Sequence, residues 1–171
     1  MNKKAVSWVI IGVVIIAVVV VGVVAYWALT NTGDGEPTPT PTPTPGVEDA
    51  SSLQFTVSTS EKDFTIMAKN LGTSQVMMRV QEEYSDGSSF IYIMNQADQK
   101  AWANFGGEWT DVSTDFTVYW DDTWDPILNG YQASLADWTG GDIQINAGGE
   151  TVTVSNIQVN PTLADSLFQP D

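Results

Sequence analysis

A run of 25 residues, from Ala5 to Leu29, contains no charged side chain and consists mostly of valine and isoleucine. At about 1.5 Å of rise per residue, a helix of this length crosses a hydrocarbon layer of about 30 Å with room for tilt. Trp8 lies near one end of the run, and Tyr26 and Trp27 lie at the other, which is typical of residues at the two membrane interfaces. The run therefore predicts a transmembrane helix.

Charges on the two sides of the apolar run predict its orientation. Lys3 and Lys4 precede the run, whereas the next basic residue is Lys62 and the charges in between are acidic. Positively charged flanks of a transmembrane helix stay in the cytoplasm. We therefore expect a cytoplasmic tip at 1–4, a single-pass signal-anchor in the cell membrane at 5–29, and an extracytoplasmic remainder at the cell surface.

Two alternatives for the apolar run remain open. A cleaved secretory signal has a shorter apolar core and small residues at its cleavage site, whereas this run ends in Tyr26 and Trp27. A prepilin-type leader is cut at a short basic site, which Lys3-Lys4-Ala5 resembles, and the apolar segment would then form the core of a filament. The identity of the mature N-terminus distinguishes these hypotheses.

Residues 30–46 predict an extended linker. Threonine alternates with proline from Pro37 to Pro45, and this is the only internal repeat. Because proline fixes φ and lacks an N–H, the repeat favours a polyproline II spacer of roughly 28 Å. Its threonine hydroxyls suit O-glycosylation of a surface stalk, and an unmodified spacer is an equal alternative.

Composition excludes several classes of function. The chain has 6 Lys and Arg against 21 Asp and Glu, a formal net charge of −15, and neither His nor Cys. Disulfides, cysteine-linked lipid, and Ser-His-Asp or Cys-His catalysis are therefore excluded. Zinc prefers His and Cys ligands, and nucleic-acid phosphates need clustered basic residues, so both partners are disfavoured. We expect no catalytic residues, no metal and no cofactor, and no pattern indicates an oligomeric state.

Residues 47–171 predict one extracytoplasmic α+β domain. Two groups of segments with alternating apolar residues indicate strands, at 53–57, 64–68, 76–80 and 100–103 and again at 142–146 and 152–159. A helical period separates the two groups. We therefore expect a curved antiparallel sheet packed on a helical segment, preceded by one N-terminal transmembrane helix and the Pro-Thr linker.

The helical segment is predicted from large apolar residues that recur every three or four positions. They fall within an arc of about 120° on a helix, and they are Phe116, Trp120, Trp124, Leu128, Tyr131, Leu135 and Trp138. Asp111 or Ser113 is expected to cap the start of the segment. Pro126 interrupts it, so we expect two helices or one kinked helix, with Asp125 as the N-cap of the second.

The Asp86-Gly87 dipeptide predicts a hairpin with a two-residue loop. In that register Val80 pairs with Ile93, and Glu83 pairs with Phe90. One face then has the composition of a core, with Met78, Val80, Ile91 and Ile93. The other face carries three large apolar side chains among polar partners, namely Phe90, Tyr92 and Met94. Such a face needs a cover, which is the chain's own helix, a partner or an apolar ligand.

The end of the chain, from Ile157 to Phe168, reads IQVNPTLADSLF and resembles the terminal segment of the bacterial lipoprotein-carrier, or outer-membrane lipoprotein-sorting, family. In that family a strand ending in Val-Asn-Pro leads to a short turn and an Asp-Ser-Leu-Phe-like stretch. The hairpin at 86–93, followed by Lys100-Ala101-Trp102, is similar to the family's pattern of Asp-Gly before an aromatic strand. The resemblance implies a half-open antiparallel β-barrel with a helical lid over an apolar cavity that holds lipid chains. This chain departs from the family in its shorter domain and its membrane tether, which do not fit a soluble shuttle.

From this resemblance we expect the domain to bind a lipid-like or apolar ligand, or an apolar segment of a partner. The expected cavity walls are Phe90, Tyr92, Met94, Trp120, Trp124 and Tyr131. The alternative is a structural cell-surface or adhesion module, or a pilin-like filament subunit, whose core is filled and which has no ligand.

Two further groups of residues are weaker candidates for binding. Asp121, Asp122 and Asp125 offer oxygen ligands for calcium, but they lack the glycine and the distal glutamate of a regular calcium loop. Trp102 and Trp109 are the tryptophans best placed to stack on a sugar, because they lie outside the helical stripe. Paired carboxylates also occur by chance on an acidic surface, so we do not expect an enzyme.

We predict that the full-length chain stays in the membrane pellet after an alkaline carbonate wash, because residues 5–29 are held in lipid. N-terminal sequencing of the pelleted protein is expected to read Met-Asn-Lys-Lys. A mature chain that begins at Ala5 would favour the prepilin leader, and one that begins near residue 28 would favour a cleaved signal.

Overall fold

The structure is a computed structural model that describes residues 46–147 and 150–170. The expected cytoplasmic tip at 1–4, the signal-anchor at 5–29 and residues 30–45 of the linker lie outside this described part. Within it, none of the helices has the length and apolar character that a bilayer crossing requires.

Eight antiparallel strands form one open sheet in the described part of the chain. They are β1 (Ser52–Ser58), β2 (Lys62–Lys69), β3 (Met77–Tyr84), β4 (Ser89–Asn95), β5 (Lys100–Asn104), β6 (Trp109–Asp111), β7 (Ile143–Ala147) and β8 (Glu150–Val159). Their order across the sheet is β6-β5-β4-β3-β2-β1-β8-β7. The first six strands form a meander, and β8 pairs with the remaining side of β1. The predicted α+β class, an antiparallel sheet packed on a helical segment, is confirmed.

The helical segment connects the two edge strands, β6 and β7. It consists of a 3-10 turn (Ser113–Asp115), helix α1 (Phe116–Tyr119), a π-helical turn (Trp120–Trp124) and helix α2 (Asp125–Ser134). Because β6 and β7 lie at opposite edges, the connection has to cross the width of the sheet, and it covers one face. Every residue of the predicted helical stripe is buried except Trp138, which is half-buried beyond the end of α2.

The break in the helical segment is a π turn directly before Pro126. Proline has no N–H, and its ring clashes with the carbonyl group four residues earlier in an α-helix. A wider π turn relieves that clash, and here the Thr123 hydroxyl donates to the Val118 carbonyl at 2.7 Å. The prediction that Asp125 is an N-cap was wrong. Asp125 is the first residue of α2, with φ −65° and ψ −46°, and its carboxylate accepts a hydrogen bond from Asn129 Nδ2 at 3.0 Å.

The hairpin between β3 and β4 has a three-residue loop, so the predicted two-residue loop was wrong. The Tyr84 N–H donates to the Ser88 carbonyl, and the Gly87 N–H donates to the Tyr84 carbonyl, each at 2.9 Å. Gly87 has a φ of 85°, in the left-handed region that glycine adopts without strain. A loop of three residues that ends in a left-handed glycine is a common hairpin form, with the glycine in a bulge.

The longer loop reverses the faces of β4 relative to the prediction. Val80 pairs with Tyr92 instead of Ile93, and Met78 pairs with Met94. A shift of one residue moves every side chain of a strand to the other face. Tyr92 and Met94 therefore lie in the core beneath the helical segment, and Ile93 lies on the opposite face of the sheet.

A C-terminal 3-10 turn (Asp165–Phe168) packs against β3 and β4 on that opposite face. Lys69 forms an ion pair with Asp165, and its Nζ lies 4.6 Å from the centre of the Phe168 ring. Arg79 Nη1 donates to the carbonyl of Leu167 at 3.2 Å. The large apolar side chain of Ile93 is buried on this face.

Replacing Gly87 with alanine is expected to lower the free energy of unfolding by about 1 kcal/mol, because the left-handed conformation strains a residue with a Cβ. Gly107→Ala is a matched control, since its φ is not left-handed and an added Cβ meets no atom within 4 Å. Urea unfolding of both variants measures the difference. Equal stability of the two variants would contradict the three-residue loop.

Candidate functional site

The six residues predicted to line an apolar cavity lie on the sheet face that the helical segment covers, or on the segment itself. Five are buried, with exposed fractions from 0 to 5%, and Phe90 is half-buried; the five are Tyr92, Met94, Trp120, Trp124 and Tyr131. The rings of Tyr92 and Trp124 have centroids 5.7 Å apart, and Tyr131 lies 5.1 Å from Phe55. The five buried residues belong to one hydrophobic cluster and Phe90 packs against it, so the structure brings the six residues together.

One end of this covered face carries aromatic rings that reach solvent. We call it the aromatic mouth and define it by Tyr84 at the end of β3, Phe90 at the start of β4, Phe105 after β5, and Tyr119 in α1. Phe105 is 44% exposed. Its ring lies 5.5 Å from that of Phe90, which lies 5.3 Å from that of Tyr84. Three rings of the mouth, those of Tyr84, Phe90 and Phe105, therefore form a continuous group.

Ring contacts connect the aromatic mouth with the buried core. Tyr92 lies 6.0 Å from Phe105 and 5.8 Å from Tyr119, between centroids, and it also contacts Trp124. Tyr92 is thus the residue through which the exposed rings meet the buried ones. Tyr92 was among the predicted cavity walls, but the predicted two-residue loop put it on the face opposite Val80, with which it pairs in the structure.

Val118 is the other large apolar side chain with high exposure in the described part of the chain. It lies in α1, two residues after the buried Phe116 and two before the buried Trp120. At about 100° per residue, Val118 points about 200° away from Phe116 and so faces solvent on the outer side of α1. Val118 therefore lies outside the aromatic mouth.

A buried ion pair lies beside the aromatic mouth, between Lys62 of β2 and Glu82 of β3. The two side chains are only 6% and 1% exposed and are in direct contact. Lys62 Nζ also donates to Tyr84 Oη at 3.2 Å and lies 5.0 Å from the centre of the Tyr84 ring. Burial and the Glu82 charge raise the pKa of Tyr84. Burial of the pair costs free energy, because both ions lose their hydration. Each charge is stabilised in the core only by the opposite charge of its partner.

The ion pair was also missed from the sequence, although the alternation of apolar residues contained its signal. Glu82 continues the core-facing positions of Met78 and Val80, and Lys62 precedes Phe64 at the same spacing. The strand period alone therefore places both charges inside. The predicted strand began at residue 64, and this left Lys62 outside it.

Two hydrogen-bond donors near the ion pair have no partner among the described residues. They are Tyr92 Oη and Trp124 Nε1, both on buried side chains. Burial and the nearby Glu82 carboxylate raise the pKa of Tyr92 well above its ordinary value, yet its hydroxyl forms no hydrogen bond of acceptable geometry. A buried donor without an acceptor costs about 1–3 kcal/mol. The inner end of the aromatic mouth therefore has unused capacity to bind an oxygen atom.

The weaker candidates lie elsewhere. Asp121 and Asp122 are exposed, and burial raises the pKa of Asp125. In the described ranges, no three acidic side chains converge in a way that could hold a metal ion. Trp102 and Trp109 are half-buried on the sheet face opposite the helices, in the neighbouring strands β5 and β6. Sugar stacking there stays a prediction.

Replacing Glu82 alone with leucine is expected to lower the free energy of unfolding by about 3–5 kcal/mol, because it leaves the buried Lys62 charge unpaired. The double variant K62M/E82L is expected to recover much of this loss, because no charge then remains inside. Chemical denaturation of both variants gives the coupling free energy. Additive losses would contradict the paired, desolvated state described above.

Comparisons with known proteins give no match: no family model matches the chain, and neither the curated proteins nor the solved structures include a similar one. The resemblance to the lipoprotein-carrier family therefore stays a prediction.

Proposed function

We propose that this chain is a membrane-anchored extracytoplasmic binding module, and that its aromatic mouth takes the apolar part of a lipid-like ligand. In this proposal residues 5–29 hold the domain at the membrane and the Pro-Thr linker separates it from the surface. The observation that carries the proposal is a group of half-buried rings, with the exposed Phe105 among them, that contacts the core through Tyr92. Exposed aromatic groups of this kind are typical of binding sites on soluble domains.

The size of the apolar contact favours a ligand that enters the domain. Burial of apolar surface contributes about 2.5 kcal/mol per 100 Å². Association costs about 4–15 kcal/mol in lost freedom of motion, so a stable complex has to bury several hundred Å². A ligand resting on the ring of Phe105 alone does not reach this area. We therefore place its chain between α1 and strands β4 and β5.

Entry at this place requires α1 to move away from Tyr92. Helix α1 has only four residues and lies between a 3-10 turn and the π-helical turn. Short helices make few internal hydrogen bonds, and π turns inside helices occur often at functional sites. Displacement of α1 would separate Tyr119 from Tyr92 and open the aromatic mouth toward Trp124.

The second candidate is a structural cell-surface module, or a pilin-like subunit, without a ligand. The close packing of the predicted cavity walls favours it, because the rings of Tyr92 and Trp124 already fill the space against each other. In that case the aromatic mouth is only the solvated edge of a complete core.

Photo-labelling of the full-length chain in phosphatidylcholine nanodiscs tests the proposal. A diazirine-bearing dodecanol is the probe, and mass spectrometry identifies the labelled residues. We expect label on the aromatic mouth, and Phe105→Asn is expected to reduce it roughly fivefold through lost apolar contact. Val118→Asn removes the other exposed apolar side chain and serves as the matched control, with no expected change. Label restricted to residues 5–29 would contradict the proposal and favour the structural module.

A further inference from the structure

We propose that the polar end of the ligand is an uncharged hydroxyl group, which binds to Tyr92 Oη, Trp124 Nε1 and the Glu82 carboxylate at the inner end of the aromatic mouth. This inference rests on the proposed function and names the chemical class of the ligand, a neutral amphiphile with a hydroxyl head. The unpartnered donors on two buried side chains point to it.

The three protein groups belong to side chains that are neighbours, directly or through Phe64 and Val80, on the covered face. Tyr92 and Trp124 are ring neighbours, with centroids 5.7 Å apart, and neither polar atom has a partner within the described residues. Trp124 also contacts Phe64, which pairs directly with Glu82 across β2 and β3. Glu82 lies two residues along its strand from Val80, the partner of Tyr92. The three side chains therefore border the same part of the core, and we place the hydroxyl group of the ligand there.

Glu82 retains acceptor capacity in spite of its ion pair. One carboxylate oxygen, Oε1, contacts Lys62 Nζ, and the other, Oε2, lies 3.4 Å from Tyr84 Oη, which is a long hydrogen bond. An ionised carboxylate offers about four acceptor positions. The inner end of the mouth thus presents two unused donors and one partly used acceptor.

A hydroxyl group matches this set better than other lipid head groups do. Its oxygen accepts from Tyr92 and Trp124, and its proton donates to Glu82. A carboxylate would place a second anion beside Glu82 at low dielectric, where Lys62 is already paired, in a chain of net charge −15. An ammonium group could donate to Glu82, but it would leave Tyr92 and Trp124 without an acceptor and would place a second cation beside Lys62. An alkane would leave all three groups unmatched.

Competition against the diazirine-bearing dodecanol tests the head-group assignment in the full-length chain in phosphatidylcholine nanodiscs. The competitors are dodecanol, dodecane and dodecanoate, each compared between the native chain and Tyr92→Phe, so that partition into the bilayer cancels. We expect dodecanol to compete roughly five to ten times better than dodecane in the native chain. This ratio of affinities corresponds to the net contribution of one or two hydrogen bonds. In Tyr92→Phe this preference is expected to fall toward parity, while dodecane competes as before.

Tyr92→Phe keeps the ring and removes only an unpartnered hydroxyl, so the variant is expected to melt no lower than the native chain, as checked by circular dichroism. An unchanged preference for dodecanol in this variant would overturn the hydroxyl assignment but leave the proposed function standing, as would stronger competition by dodecanoate. Absence of label from the aromatic mouth of the native chain would overturn both.

Discussion

The placement of β6 and β7 at opposite edges of the sheet determines most of this structure. The chain between these strands has to cross from one edge to the other, and it can remain compact only by lying on a face. The residues that cross are rich in large rings, which pack on Phe55 and Phe64. The helical segment between β6 and β7 therefore covers one face of the sheet. The aromatic mouth lies at the end of this face, where the cover is incomplete.

The covered face also contains polar groups. Near the end of β3, its buried positions include Lys62 and Glu82. Their attraction offsets part of the cost of removing both charges from water. Tyr92 and Trp124, on the same covered face, carry donors that find no acceptor among the residues the structure describes. A core designed only for stability would contain apolar residues at these positions, and for this reason we connect the group with binding.

The sequence was sufficient for the class of fold but not for the faces of β4. Alternation along the strands and the spacing of Trp120, Trp124 and Leu128 depend on local geometry, so both were predictable. The choice between a two-residue and a three-residue loop at Asp86-Gly87 depends on a small difference in turn energy, yet it moves every side chain of β4 to the other face. The predicted cavity walls included Tyr92 and Met94, but the predicted register put both residues on the face opposite Met78 and Val80, with which they pair in the structure.

The π turn before Pro126 shows a similar limit at the level of the helix. Proline predicted an interruption, but whether the chain responds with a cap, a kink or a π turn depends on the packing of Trp124 against Tyr92 and Phe64, which are distant in sequence. The buried charge of Glu82 was predictable in principle from its position in the strand. The same holds for Lys62, but the contact between the two was not predictable, because it connects different strands.

The register of the β3–β4 hairpin tests the account most directly, since it decides whether Tyr92 faces the helical segment or the opposite side. Nuclear Overhauser contacts across the hairpin measure it. The structure predicts contacts that connect Gln81 with Ile91 and Arg79 with Ile93. Contacts that connect Gln81 with Tyr92 and Arg79 with Met94 would contradict it, and the aromatic mouth would then lose its connection to the core.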